Sequence, residues 1–217
     1  MKKFLVLLVL LPNFAFALQV KSVDENGVII CEEGKKLAIA SVILKKGATD
    51  YIKDNWSGRE VILQYGKNKL DRNGNDLVQI KDDKDNWLQG ELIERSLVHV
   101  YPSMDNDVFA QQMLSMDRAD VLSPFDLEGN IGKYKGKFAV VEATVLQVKR
   151  VRNNIFINFG EDWRTDFTVL IKKSNENNFT GIDVMSIAGK KIRVRGWVEE
   201  YNGPLIKAYG RYNLEII

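Results

Sequence analysis

The sequence predicts a mainly β fold, a β-barrel architecture with helices, divided into two small cores. Three observations predict it. Short apolar-alternating segments recur between turn residues along nearly the whole chain. Charge changes sign partway: residues 18–130 hold 14 Lys/Arg and 20 Asp/Glu, whereas residues 131–217 hold 15 and 9. The second of these regions is almost all strand, and five strands with one interposed helix describe a small closed barrel of the OB type.

At the start, Lys2 and Lys3 precede the apolar run Phe4–Leu11, the break Pro12 and the small-x-small site Ala15-Phe16-Ala17. That order is a secretory signal, residues 1–17, with an apolar run too short to span a bilayer. The expected product is periplasmic or secreted and has no membrane anchor after signal cleavage. Without the two signal lysines the chain has 29 basic and 29 acidic residues, so global charge gives no pull toward nucleic acid. Cys31 is the single cysteine, which excludes an internal disulfide and leaves stability to core packing. It lies in the apolar run Val28–Cys31, and the single histidine, His99, lies in the strand-like Val98–Tyr101; spacing gives no support for pairing them in catalysis or around zinc.

In residues 18–102 strands are expected at Gln19–Val23, Val28–Cys31, Leu37–Leu44, Glu60–Gln64, Leu77–Lys81 and Leu97–Tyr101, with Asn73-Gly74 as a hairpin turn. Ala48–Trp56 reads as a helix closed by Ser57-Gly58. Asn86–Arg95 reads as another, with Asn86 as cap, Gln89 as its box partner and a Glu91–Arg95 pair at i, i+4; Trp87 and Leu92 are its candidate core residues. Residues 103–132 read as helix and linker, with Phe109, Met113 and Met116 on one side of a helix over Asp105–Asp120. Residues 133–217 supply the second barrel: Phe138–Val148, then alternation at Ile155/Ile157/Phe159, Phe167/Val169/Ile171 and Ile192/Val194/Val198, a short helix in Asn178–Ile187, and a last strand ending at Leu214–Ile217.

The segment Asp71-Arg72-Asn73-Gly74-Asn75-Asp76-Leu77-Val78-Gln79-Ile80, followed by an acidic loop and Asn86 through Pro102, resembles the core of the thermonuclease (staphylococcal-nuclease-like) family. The resemblance implies an OB-type barrel for residues 18–102 too, and hence two tandem OB-fold-type barrels. Asn158 through Phe167 gives the second half a likeness to the OB-like modules found beside such domains. The family cuts nucleic acid by calcium-assisted attack of water, using aspartates on the ion, a glutamate near the water and two arginines on the phosphate. On the register the resemblance implies, Asn26 and Ser41 stand at the aspartate positions, Leu44 at the glutamate, and Lys36 and Asn75 at the arginines. A neutral amide cannot replace a guanidinium's charge and paired donors. The expectation is a catalytically silent relative with no catalytic residues, metal or cofactor, a divergent metal-dependent nuclease being the alternative. Asp82, Asp83 and Asp85 precede a helix start, where the dipole favours acids, and in Asp71-x-Asn73-x-Asn75 the glycine, Gly74, falls two residues early for a calcium loop.

One positive signal remains. In Ile192-Arg193-Val194-Arg195-Gly196-Trp197-Val198, period two sends Arg193, Arg195 and Trp197 to one face, and Lys149, Arg150 and Arg152 could extend it. Arginines beside an aromatic on a barrel face are the elements of single-stranded nucleic-acid binding. A solvated face, or Trp197 packed under Tyr209 or the neighbouring domain, is the plainer reading. The partner is unknown from sequence; nucleic acid and another envelope protein are the two candidates.

Overall fold

The computed structural model describes residues 18–102 and 107–217. The expected signal segment, the linker residues 103–106 and the first residues of the helix expected from Asp105 lie outside them. Among the described residues, no helix is long and apolar enough to cross a membrane.

The first half is a closed barrel of β1 (Leu18–Val23), β2 (Ile29–Cys31), β3 (Lys36–Ile39), β5 (Glu60–Leu70) and β6 (Asp76–Asp82), in the order β1-β2-β3-β6-β5. All ladders are antiparallel except β3·β6, which is parallel. β4 (Val42–Leu44) leaves the barrel and pairs with β7 (Val98–Val100). The run Leu37–Leu44, read as one strand, is therefore two. The break falls at Ser41, whose φ of 66° turns the backbone so that successive segments meet different partners. α1 (Ala48–Trp56) buries Ala48, Ile52 and Trp56, and α2 (Leu88–Glu94) buries Leu88, Leu92 and Ile93. α3 (Asp107–Met116) adds Phe109 and Met113 to the same core.

Two expectations about α2 fail. Asn86 does not cap it: its side-chain amide donates to Asp82 Oδ2 at 2.8 Å, and the helix begins beyond Trp87 with no side-chain cap. Gln89 is not a box partner but a buried strut, donating to the Val78 carbonyl and accepting from the Ile80 N–H. Glu91 accepts from Tyr51 Oη and Trp56 Nε1, and Arg95 stacks over the Tyr51 ring. Leu92 is fully buried, as expected of a core residue, while Trp87 is half-buried, its ring 5.1 Å from Phe109.

The second half holds β8 (Val121–Leu122), α4 (Pro124–Glu128), α5 (Ile131–Tyr134), β9 (Phe138–Thr144), β10 (Gln147–Val151), β11 (Asn154–Asn158), β12 (Thr168–Lys172), β13 (Lys191–Glu200), β14 (Pro204–Ala208) and β15 (Leu214–Ile216). They form an eight-stranded sheet of order β10-β11-β12-β14-β13-β9-β8, with β15 on β13. β9 and β10, expected as one strand, are consecutive pieces of one chain run. At its bend the Val145 N–H bonds to Lys190 O and the Leu146 N–H to Asn158 O, handing the run from β13 to β11. The sheet thus turns back on itself through covalent chain. From β10 to β9 the ladders repeat the first half's pattern, antiparallel except for the parallel pair β12·β14. Ile155, Ile157, Phe167, Val169, Ile192, Val194 and Ile206 fill its core. Instead of a helix at Asn178–Ile187 there are 3-10 turns at Lys173–Asn178 and Val184–Ser186.

The halves meet through Phe138, whose ring lies 5.0 Å from His99, 5.4 Å from Tyr101 and 5.9 Å from Trp197. Arg195 joins Asp117 across the same seam.

Candidate functional site

Of the positions that the thermonuclease resemblance assigns to catalysis, those of Leu44 and Asn75 are occupied by groups that do structural work, while the Asn26 and Lys36 side chains are exposed. Asp24 closes the β1–β2 turn by accepting from the N–H groups of Asn26 and Val28 at 2.9 and 2.8 Å. Over that turn lies Leu44: a Cβ placed on Gly27 would stand 2.0 Å from Leu44 Cδ1. Asn75 donates through Nδ2 to Asp71 Oδ2 at 3.0 Å, and its own N–H bonds to Asp71 Oδ1 at 2.8 Å. It clamps the β5–β6 turn, where Gly74 has φ +81°, rather than reaching outward. Among the described residues no three His, Cys, Asp or Glu side chains are grouped to hold a metal ion. Cys31 is fully buried, and burial pushes its thiol up to about 11, the reverse of an activated nucleophile.

The basic face expected on β13 is not formed as an outward surface. Arg195 is 1% exposed and bonds Asp117 Oδ2 at 2.6 Å, with Glu215 at 3.4 Å. Arg193 is held by Glu142 at 2.5 Å, and Lys191 also reaches that carboxylate. Period two places the arginines on one face, but that face is where Asp117 and β15 pack. Trp197 remains 45% exposed, edge-on to Phe138. Of the proposed extensions, Arg150 is paired bidentately with Glu176, while Arg152 is exposed at the β10–β11 turn with φ 53°.

Lys149 has a different setting. On the outer face of β10, β11, β12 and β14, register aligns Gln147, Asn158, Thr168 and Leu205 in one row, with Lys149 beside Phe156 in the next. These residues floor a cavity of about 420 Å³. Its walls are two loops: residues 159–167 carry Trp163, 54% exposed, and residues 201–203 carry Tyr201, 69% exposed. Arg164 braces the Trp163 ring, its guanidinium 4.6 Å from the centroid. The loops touch through backbone. Gly203 has φ +132°, and a Cβ there would lie 2.6 Å from the Thr165 carbonyl oxygen, so only glycine allows this approach. Gly160 is likewise packed under the Asp166 carboxylate, 2.0 Å from where a Cβ would be.

In the cavity floor, Thr168 Oγ1 donates to Asn158 Oδ1 at 3.2 Å. Asn158 is only 8% exposed, yet its amide nitrogen has no partner among the described residues. The side chains of Gln147, Lys149, Glu161 and Asn202 also make no hydrogen bond or ion pair with another described residue. A concave site with aromatic walls and several uncommitted donors and acceptors is the usual form of a ligand pocket. Of its residues only Lys149 was a candidate binding residue from sequence, although Asn158, Gly160, Glu161 and Trp163 lie in the run that carries the likeness to OB-like modules. The alternation that marks Ile155 and Ile157 as core equally marks Phe156 and Asn158 as outward, which is the signal that could have found it.

No protein-family model matches this chain, and no curated relative matches it.

Proposed function

We propose that the chain is an exported, catalytically inactive thermonuclease-like protein, built from two tandem OB-type barrels and acting as a binding module. The observation that carries the inactive reading is the packing of Leu44 onto Gly27, together with the commitment of Asn75 to Asp71 in the β5–β6 turn. Calcium-assisted phosphodiester cleavage needs carboxylates on the ion and fixed cations on the phosphate. An isobutyl group and a neutral amide supply neither. The OB-type reading of both halves is supported by a shared strand-pairing pattern: the first half has five ladders with one parallel pair, and the second half repeats this over the five ladders from β10 to β9, to which the parallel β8·β9 and the antiparallel β13·β15 pairs are added. Binding is assigned to the second half, where the cavity between Trp163 and Tyr201 leaves polar groups unpaired. The protein is expected not to cleave single- or double-stranded DNA or RNA above background in calcium. Cleavage that persists through repurification and stops on chelation would overturn the inactive reading.

A further inference from the structure

We infer that the cavity between Trp163 and Tyr201 binds a neutral oligosaccharide; this rests on the reading of the second half as a binding module. The charge of the lining decides the ligand class first. The cavity holds one cation, Lys149, and one anion, Glu161. Arg150, Arg193, Arg195 and Lys207 of this half are already paired, with Glu176, Glu142, Asp117 and Glu199, and the exposed Arg152, Lys172 and Lys173 do not line the cavity. A single-stranded nucleic acid needs unpaired cations tracking successive phosphates, and a lining of net zero charge does not provide them. An apolar ligand would leave the amide nitrogen of Asn158 and the side chains of Gln147 and Asn202 desolvated without partners, at a penalty for each.

What fits is a neutral molecule with many hydroxyls and flat C–H faces. Side-chain amides can both donate to and accept from hydroxyl groups, and Lys149 and Glu161 add one strong donor and one strong acceptor. The faces of Trp163 and Tyr201 carry the negative side of an aromatic quadrupole, which attracts the slightly positive C–H edges of a pyranose ring. The walls stand ready before binding, because the Gly203–Thr165 backbone contact fixes one loop against the other. Little ordering cost is then left for the ligand to offset. The cavity volume of about 420 Å³ falls in the range of small-ligand sites and takes a short stretch of chain rather than a long strand.

The test titrates the protein with chitotetraose, cellotetraose and maltotetraose, followed by calorimetry and tryptophan fluorescence. Saturable binding of at least one of them is expected, with an affinity the same at about 50 and about 200 mM salt, since a neutral ligand releases no counterions. Trp163→Ala is expected to weaken it by roughly tenfold or more, the usual result of truncating an aromatic anchor in a binding site. Tyr201→Ala, in the other loop, carries the same expectation and stands in if the first variant folds poorly. Arg150→Ala, on the far side of the strand, is the control that leaves binding unchanged. No binding of any tetrasaccharide, or binding indifferent to both aromatic variants, overturns the inference. So does oligothymidylate binding that falls steeply with salt and depends on Trp163. The nuclease assay is separate: DNA cleavage would leave this titration standing, and lack of sugar binding would leave the inactive reading standing.

Discussion

Arg195 shows how a side chain's neighbours, rather than its own type, decide its role. Period two fixed its face correctly, but its partner Asp117 lies 78 residues earlier, and no local pattern announces such a pairing. Burial pulls the guanidinium below its ordinary value, while Asp117 and Glu215 favour its charged form. Removing one member of a buried ion pair strands the other charge, so Asp117→Ala is expected to cost about 3–5 kcal/mol of stability. Replacing both members with apolar residues, as in Asp117→Leu with Arg195→Met, should recover most of that loss. Urea denaturation of the two variants checks this; a double variant no more stable than the single one would show that the carboxylate acts on something other than Arg195.

Elements were legible where one local rule governs them and illegible where a remote partner does. α1 occupies the expected Ala48–Trp56, because its buried positions follow helical spacing and Ser57-Gly58 stops it. The structural role of the acidic segments was not legible. Asp24, Asp71 and Asp82 each accept from backbone N–H groups two and four residues on, and Asp71 and Asp82 also hold the side-chain amide of the fourth residue. The three Asp-x-x-x turns are one device used three times, and Asp82 adds Arg59 at 2.8 Å. Burial alone would raise the Asp82 carboxyl, but hydrogen bonds from Asn86, Lys84 and Arg59 outweigh it and bring it below its usual value. A carboxyl depressed in the folded state contributes stability above its unfolded value of about 3.9 and loses it as pH falls through the lower folded value. Asp82→Asn is therefore expected to lower stability at neutral pH and to flatten the acid limb of the stability curve. Denaturation midpoints measured from neutral pH down into that range test it; parallel curves for the two proteins would remove Asp82 from the account.

At the scale of the molecule, a mainly β chain with two cores was readable from strand spacing, and the seam between the cores was not. β8 pairs with β9, and Asp117 reaches Arg195, so residues before Lys133, where sequence placed the start of the second barrel, already pack with the second half. The aromatic cavity was missed for the same reason: its walls come from two loops some forty residues apart, brought together by Gly203 against Thr165. In the bent run Phe138–Val151, β9 lies between β13 and β8, while β10 pairs on one side only, with β11. At Val140 and Val141 the chain is therefore flanked on both sides and is not released by fraying an edge, whereas β10 is itself an edge. Proton exchange with solvent at Val140 and Val141 should accordingly proceed only through global opening and fall in the slowest class of the second half. Deuterium exchange followed by NMR reads this residue by residue, and faster exchange there than along β14 would mean that the sheet opens at this bend.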